Sequence, residues 1–265
     1  MHDFTYHHPN LLSDAAGLLG GKPEAKLLAG GMSLLPSLKL RLARYSDLVD
    51  LKAIADLQGI KRAGDAVVIG AMTRHAVVAA SDVVKQAIPA LAVLAGGIGD
   101  PLVRNRGTIG GSIANADPAA DYPAGVLGLG ATIITDRREI AGEDFFLGLF
   151  EVALEPGEII TAVRFPIPLR AGYAKLPHPA SRFALVGVMV AKTRAGVRVA
   201  VTGAAATVFR LTQAEAALDA DFSAAALDGI EVDAGEFSSD IHASAEYRAH
   251  AITVMAKRAI DAALR

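Results

Sequence analysis

The chain, 265 residues long, contains no cysteine. Disulfides are thereby excluded, and so is any zinc or iron–sulfur site built on thiolates. If the chain works with iron–sulfur clusters, those clusters sit on another polypeptide. Tryptophan is also absent and aromatic residues are only 5% of the sequence, which leaves little material for stacking nucleic-acid bases. The formal net charge is small, −2 at pH 7, so the basic footprint of a nucleic-acid binder is missing. No apolar run reaches the roughly 18 residues of a membrane span. The opening residues MHDFTYHHPN lack a basic segment followed by an apolar one, so no secretory signal is expected and the chain reads as soluble and cytoplasmic. Seven histidines are scattered without HExxH spacing, and no metal site is expected.

Hydrophobic residues, by contrast, make up 52% of the chain, ample for a large core in one or two domains. The most informative stretch is 96–123, GGIGDPLVRNRGTIGGSIANADPAADYP. It has glycines at 96, 97, 99, 107, 110 and 111, the acids Asp100, Asp117 and Asp121, and no regular apolar periodicity. It reads as one long loop, functional rather than disordered because Ile98, Ile109 and Ile113 run through it. Gly110 and Gly111 let the main chain approach a ligand, and exposed N–H groups in such a turn form an anion-binding concavity. A tight structural turn is the alternative.

A second glycine loop lies upstream. Residues 25–29 read as a buried strand and Gly30-Gly31 as a sharp turn. Beyond Ser33, Leu34, Leu35, Leu38 and Leu42 recur at helical spacing. Strand, glycine turn and helix start together offer main-chain N–H groups to a phosphate, although the motif is neither GxGxxG nor a P-loop. Lys39 and Arg41 follow, as solvated charges or as a screen for a bound anion.

Elsewhere the pattern predicts strands at 47–51, 67–70 and 159–165, and an apolar helix at 88–94. Residues 126–134 read as a helix running into a buried strand. Ser13 and Thr73 are expected as helix N-caps, with His75 a partly buried helix residue. Pro166-Ile167-Pro168 marks a domain boundary. After it come two adjacent strands, 183–191 and 197–205, and two helices, 212–218 and 244–264. In the last helix Tyr247, Ala251, Val254 or Met255, and Ala259 share a face that should pack on the small sheet.

Three segments, AGGMSLLPSLKLRLA (29–43), IGAMTRHA (69–76) and IGDPLVRNRGTIGGSIANADPAADYPA (98–124), resemble the FAD-binding medium subunit of the molybdenum hydroxylases. The carbon monoxide dehydrogenase medium subunit is the nearest type, within the wider xanthine dehydrogenase FAD-domain family. RFALVGVMV (182–190), RVAVTGAA (198–205) and HASAEYRAH (242–250) resemble that family's C-terminal domain. The resemblance implies an α+β fold. An FAD-binding domain of the vanillyl-alcohol-oxidase (PCMH) type spans 1–170, in subdomains of about 1–55 and 56–170. A small α/β C-terminal domain with a three-stranded sheet and helices spans 171–265.

It also implies site residues. Ala29, Gly30, Gly31, Met32 and Ser33, with Thr108, Ile109, Gly110, Gly111 and Ser112, match the two loops that hold the FAD pyrophosphate. Ile98 and Ile160 (or Ile159) match positions beside the flavin, and Asp121 an acid that contacts the cofactor. Lys175 lies near the ring, and Tyr173 either borders the ring or packs structurally. Members of the family often carry His where this chain has Met32, a change that a main-chain contact survives. No cysteine and no histidine linkage motif is present, so the FAD is expected to be non-covalent.

The implied function is electron transfer. A large molybdenum-cofactor subunit oxidises substrate, a small subunit with two [2Fe–2S] clusters relays electrons to FAD on this chain, and an external acceptor removes them. The implied assembly is a dimer of heterotrimers, and no acid–base catalytic residue is assigned. Two other readings are open: a self-sufficient FAD oxidase, with Lys175, His178 and Arg182 as its pocket residues, and an assembly module that has lost the flavin.

Overall fold

A computed structural model describes residues 1–265. The chain opens with β1 (Thr5–His7), α1 (Leu12–Gly21), β2 (Ala25–Leu28), α2 (Leu34–Lys39) and β3 (Asp47–Asp50). The three strands form a parallel sheet in the order β1-β3-β2. All four residues of the central β3 are buried. Leu48 and Val49 fill the core, while the two acids find partners: Asp47 meets His7, Lys22 and Ser46, and Asp50 accepts from Tyr6 Oη at 2.6 Å. The expected Ser13 cap is absent. Ser13 lies inside α1, whose N-cap residue, Leu11, has no side-chain oxygen to offer.

The second unit runs β4 (Ile60–Ala63), β5 (Ala66–Gly70), α3 (His75–Ala80), α4 (Asp82–Ala87), α5 (Pro89–Gly96), α6 (Pro101–Arg104), α7 (Ile109–Asn115) and α8 (Tyr122–Leu129). It continues through β6 (Thr132–Thr135), β7 (Glu139–Ala141), α9 (Gly142–Phe145), the ribbon β8 (Phe146–Gly148) and β9 (Glu151–Val152), and β10 (Ile160–Pro166). Its antiparallel sheet has the order β4-β5-β10-β6-β7. Thr73 does not cap α3. Its hydroxyl instead bridges the N–H and C=O of Gly59, each at 3.1 Å, tying the start of α3 to β4.

The stretch 96–123 is not one long loop. It folds into α6, α7 and the start of α8, each built from local capping. Asp100 Oδ1 accepts from Val103 N–H at 2.9 Å with Pro101 opening α6. Thr108 Oγ1 accepts from Gly111 N–H at 3.2 Å to open α7. Helices of one or two turns are too short to show a 3.6-residue period.

The third unit contains β11 (Arg170–Pro177), β12 (Ala184–Thr193), β13 (Gly196–Thr202), β14 (Phe209–Arg210), α10 (Thr212–Ala220) and α11 (Ala245–Leu264). Its sheet has the expected three long strands, in the order β11-β12-β13, and a two-residue β14 at the edge. β12 is buried on both faces: Val186, Val188 and Val190 face a core shared with α11, while Met189 and Ala191 join the core of the second unit. This explains why β12 reads as a continuous apolar run. α8, buried over all eight residues, packs across that second face. A Cβ on Gly128 would lie 2.6 Å from Met189 Cγ. Arg198 locks the seam, donating to the main-chain carbonyl Leu127 O at 2.9 Å and forming an ion pair with Glu143 at 2.6 Å. The face of α11 that meets the sheet carries Ala251, Met255 and Ala259 as expected, but Tyr247 is half exposed and Arg248 takes the buried place at the first turn.

Candidate functional site: a cofactor cleft

β2 ends at Leu28, and the chain turns through Ala29, Gly30 and Gly31 before α2 begins. Gly31 has φ +74°, a left-handed conformation that favours glycine. The backbone N–H groups of Gly30, Gly31, Met32 and Ser33 make no hydrogen bond within the chain. Met32 and Ser33 are exposed and the two glycines half-buried, so these donors face an accessible cleft. Four consecutive unsatisfied amides in a tight turn are suited to an anion.

The second glycine loop forms the facing wall. A Cβ on Gly30 would lie 2.2 Å from Arg106 O and 2.8 Å from Gly107 Cα, and one on Gly111 would lie 3.3 Å from Ala29 Cβ. Residues about 77 positions apart (30 and 107) are therefore in main-chain contact. The amides of this loop are already committed: Ile109 N–H donates to Thr73 O at 3.1 Å, Gly110 N–H to Ala71 O at 2.8 Å, and Ser112 N–H to Thr108 O at 3.0 Å. Gly110 has no room for a side chain, because its Cβ would meet Ala71 Cβ at 2.6 Å. The glycines of this loop thus secure close packing, and the open amide donors belong to the first. The fully buried Ile109 anchors α7 in the core. Ala71 N–H donates in turn to Thr161 O at 2.9 Å, which ties the wall to β10 beside the buried Ile159 and Ile160.

A second cluster joins the third unit to the loop after α5. Asp121, at the start of α8, accepts from Tyr173 Oη at 2.5 Å and pairs with Lys175 Nζ at 2.8 Å. Lys175 also donates to Gly97 O at 2.7 Å, next to the partly buried Ile98. Tyr173 and Lys175 alternate on β11 and share a face. Burial pushes the Asp121 carboxyl up from the ordinary range, while Lys175 and Tyr173 pull it back. Burial and the Asp121 charge hold the Tyr173 phenol well above its ordinary value, so it stays a neutral donor. The structure thus places Tyr173 within the packed core rather than on an open face.

His75 and Tyr122 connect the two clusters. The His75 ring lies against Gly107, whose Cβ would stand 2.6 Å from Nε2, and the backbone N–H of His75 donates to Gly107 O at 3.0 Å. Its ring centroid is 5.3 Å from that of Tyr122, the residue after Asp121. Both are buried, and His75 Nδ1 and Tyr122 Oη have no hydrogen-bond partner in the chain. The burial of His75 matches the sequence expectation. Nothing in the local sequence of Tyr122 distinguishes a bridging tyrosine from a core one.

Burial, then the nearby Arg104 charge, lower the His75 pKa from 6.5 to about 4. The unfolded chain therefore binds the extra proton first. Stability from the neutral ring is complete above pH 6.5 and is lost as pH falls toward 4, a loss of about 2 kcal/mol at pH 5. Urea denaturation at pH 7 and pH 5 should show a steeper decline for the wild type than for His75→Gln. Parallel declines would assign the acid sensitivity elsewhere.

Comparison with known proteins agrees with this geometry. The family described as the FAD binding domain in molybdopterin dehydrogenase matches residues 2–168, and the CO dehydrogenase flavoprotein C-terminal domain matches residues 171–263. The carbon monoxide dehydrogenase medium chain of Hydrogenophaga pseudoflava is 36% identical over 98% of this chain and 96% of its own. The nicotine 6-hydroxylase medium subunit of Paenarthrobacter nicotinovorans is 34% identical over 96% of this chain and 95% of its own. The solved structure of carbon monoxide dehydrogenase from Hydrogenophaga pseudoflava superposes with a TM-score of 0.90 at 37% identity, covering 99% of this chain and 98% of that one. With two glycine walls closing on one cleft and both family domains present in order, the chain belongs to the FAD-binding medium subunits of the molybdenum hydroxylases, and is an oxidoreductase subunit.

Proposed function

We propose that this chain holds FAD non-covalently and passes electrons from the [2Fe–2S] clusters of a small partner subunit to an external acceptor. A large molybdenum-cofactor subunit is the site of substrate oxidation, and the cytoplasmic assembly is a dimer of heterotrimers. Within the chain, residues 1–170 form the FAD unit, in subdomains of about 1–55 and 56–170, and 171–265 the C-terminal domain. The observation that carries this reading is the cleft itself: four open amides at Gly30–Ser33, faced by a second loop packed too tightly for any side chain at Gly30.

Those residues fit a dinucleotide pyrophosphate, which needs several N–H donors and close main-chain approach. Gly30, Gly31, Met32 and Ser33 would donate to it. Ala29, Ile109, Gly110 and Gly111 would shape the walls, and Thr108 and Ser112 would add hydroxyls. Ile98 and Ile160 would flank the ring on the side where Asp121, Tyr173 and Lys175 cluster. Once bound, FAD supplies two-electron redox chemistry, and the protein sets its position, charge environment and solvent access. The absence of cysteine suits a chain that receives electrons from clusters held elsewhere.

An absorption spectrum of the chain purified with its partners tests the reading. Flavin bands released by acid as FAD, together with iron–sulfur absorbance bleached by substrate, are expected. A spectrum with no flavin would overturn the proposal, and flavin with no partner chain would favour the self-sufficient oxidase.

A further inference from the structure

Gly107, on the wall that faces the open amides of the first loop, is met from two directions. A Cβ on Gly30 would lie 2.8 Å from its Cα. In the direction that a Cβ on Gly107 itself would take stands the His75 imidazole, 2.6 Å away at Nε2 and 2.8 Å at Cδ2. The main chains of residues 73–75 and 107–109 run antiparallel through an isolated bridge, Arg74 to Thr108. Two hydrogen bonds close it, His75 N–H to Gly107 O at 3.0 Å and Ile109 N–H to Thr73 O at 3.1 Å. With no ladder to either side such a bridge can pivot, and a close-packed ring is what stops it. His75 is 4% exposed, and its ring also packs on the fully buried Tyr122, the first residue of α8 after Asp121. Arg104, three residues before Gly107, ties the same loop toward the flavin-ring side through Ile98 O at 2.9 Å and Gly99 O at 3.0 Å.

Stability alone would not place a histidine there. His75 Nδ1 and Tyr122 Oη are buried without a partner, a cost that an apolar side chain would avoid. What the imidazole offers is a flat five-membered ring that fills the gap at Gly107, where a phenyl would overfill it. We propose that His75 is a positioning residue for FAD: its ring holds Gly107 against Gly30 and in register with Asp121, and so sets how tightly the cofactor is bound. This rests on the FAD reading above. The loop before α7 walls the pyrophosphate end, Asp121 organises the ring side, and one FAD molecule must meet both at once. Such a two-ended grip is tight only when its ends are held at a fixed separation before the cofactor arrives.

The test uses the complete assembly, freed of FAD and titrated with FAD while flavin fluorescence is followed. Gly107→Ala drives a methyl into the imidazole and His75→Ala removes the ring, and each should raise the Kd for FAD roughly tenfold. Gly107 takes no positive φ, so alanine there strains no backbone. The double variant puts the new methyl where the ring was, with Val103 O at 3.1 Å left to give way. It should return to within roughly threefold of wild type. Ile252→Ala, which opens a cavity in the core under α11, is the control and should lower the melting temperature without changing the Kd. A role in stability alone would move every melting temperature and no Kd. If the double variant binds as weakly as the two single losses multiplied together, or both single variants bind like wild type, His75 does not position the flavin. Should His75→Ala fail to fold, Gly107→Ala reaches the contact from the other side, and wild-type affinity in it overturns the proposal by itself. A wild-type assembly that takes up no FAD would instead overturn the cofactor reading, so the two failures are distinguishable.

Discussion

Gly30→Ala is expected to weaken FAD binding by about 10- to 100-fold, equivalent to an overpacking cost of 1–3 kcal/mol. The added methyl would meet Arg106 O at 2.2 Å, and Arg106 C and Gly107 Cα at 2.8 Å. All three are backbone atoms and none can rotate aside, so the two loops must part and the amides of Gly30–Ser33 lose their facing wall. The check is FAD released by acid per mole of chain, measured on assemblies dialysed without flavin. Gly20→Ala is the matched control. It lies in α1 with nothing within 4 Å of the new methyl, and should keep full flavin while gaining about 0.5–1 kcal/mol in stability. Full occupancy in Gly30→Ala would show that contact between the loops does not shape the cofactor cleft.

Lys175→Met should be the most destabilising single change near the cleft. It leaves the Asp121 carboxyl buried without its cation, a loss worth about 3–5 kcal/mol, and removes the tie from β11 to Gly97 and Arg182. A fall in melting temperature of roughly 10 °C is expected. Adding Asp121→Asn should recover much of it, because an amide can keep the Tyr173 hydrogen bond without a buried charge. If the double variant is as unstable as the sum of the two single changes, the pair is not the source of the loss.

Much of this architecture was legible because its signals are local. Gly30-Gly31 between an apolar strand and a leucine-spaced helix could be read directly, as could the run that became β12. Where the reading failed, the deciding partner was distant in sequence. Thr73 has the composition of a cap, but Gly59 offers it both a donor and an acceptor. Tyr247 fits the apolar spacing of α11, but Arg248 takes the buried position by bonding Leu185 O, Gly203 O and Asp240. The loop 96–123 hid three helices because caps, not periodicity, define segments that short. At the cleft, sequence could name Gly110 and Gly111 but not their task. Only the bonds from Ile109 and Gly110 to Thr73 and Ala71 show those amides to be engaged, which leaves the first loop as the open donor set.

The burial of α8 against β12 and β13 also bears on how the chain is made. Synthesis delivers residues 122–129 to the ribosome exit well before residues 184–202, so the apolar flank of α8 waits uncovered while some sixty further residues are added. The upstream portion can collapse early, but its largest core cannot close until Met189, Ala191 and Ala200 arrive. Folding is thus committed late, and a nascent chain stalled near residue 170 presents a sticky helix to its neighbours. Translation speed and chaperone supply over that interval, rather than the stability of the finished protein, should set the yield of usable subunit.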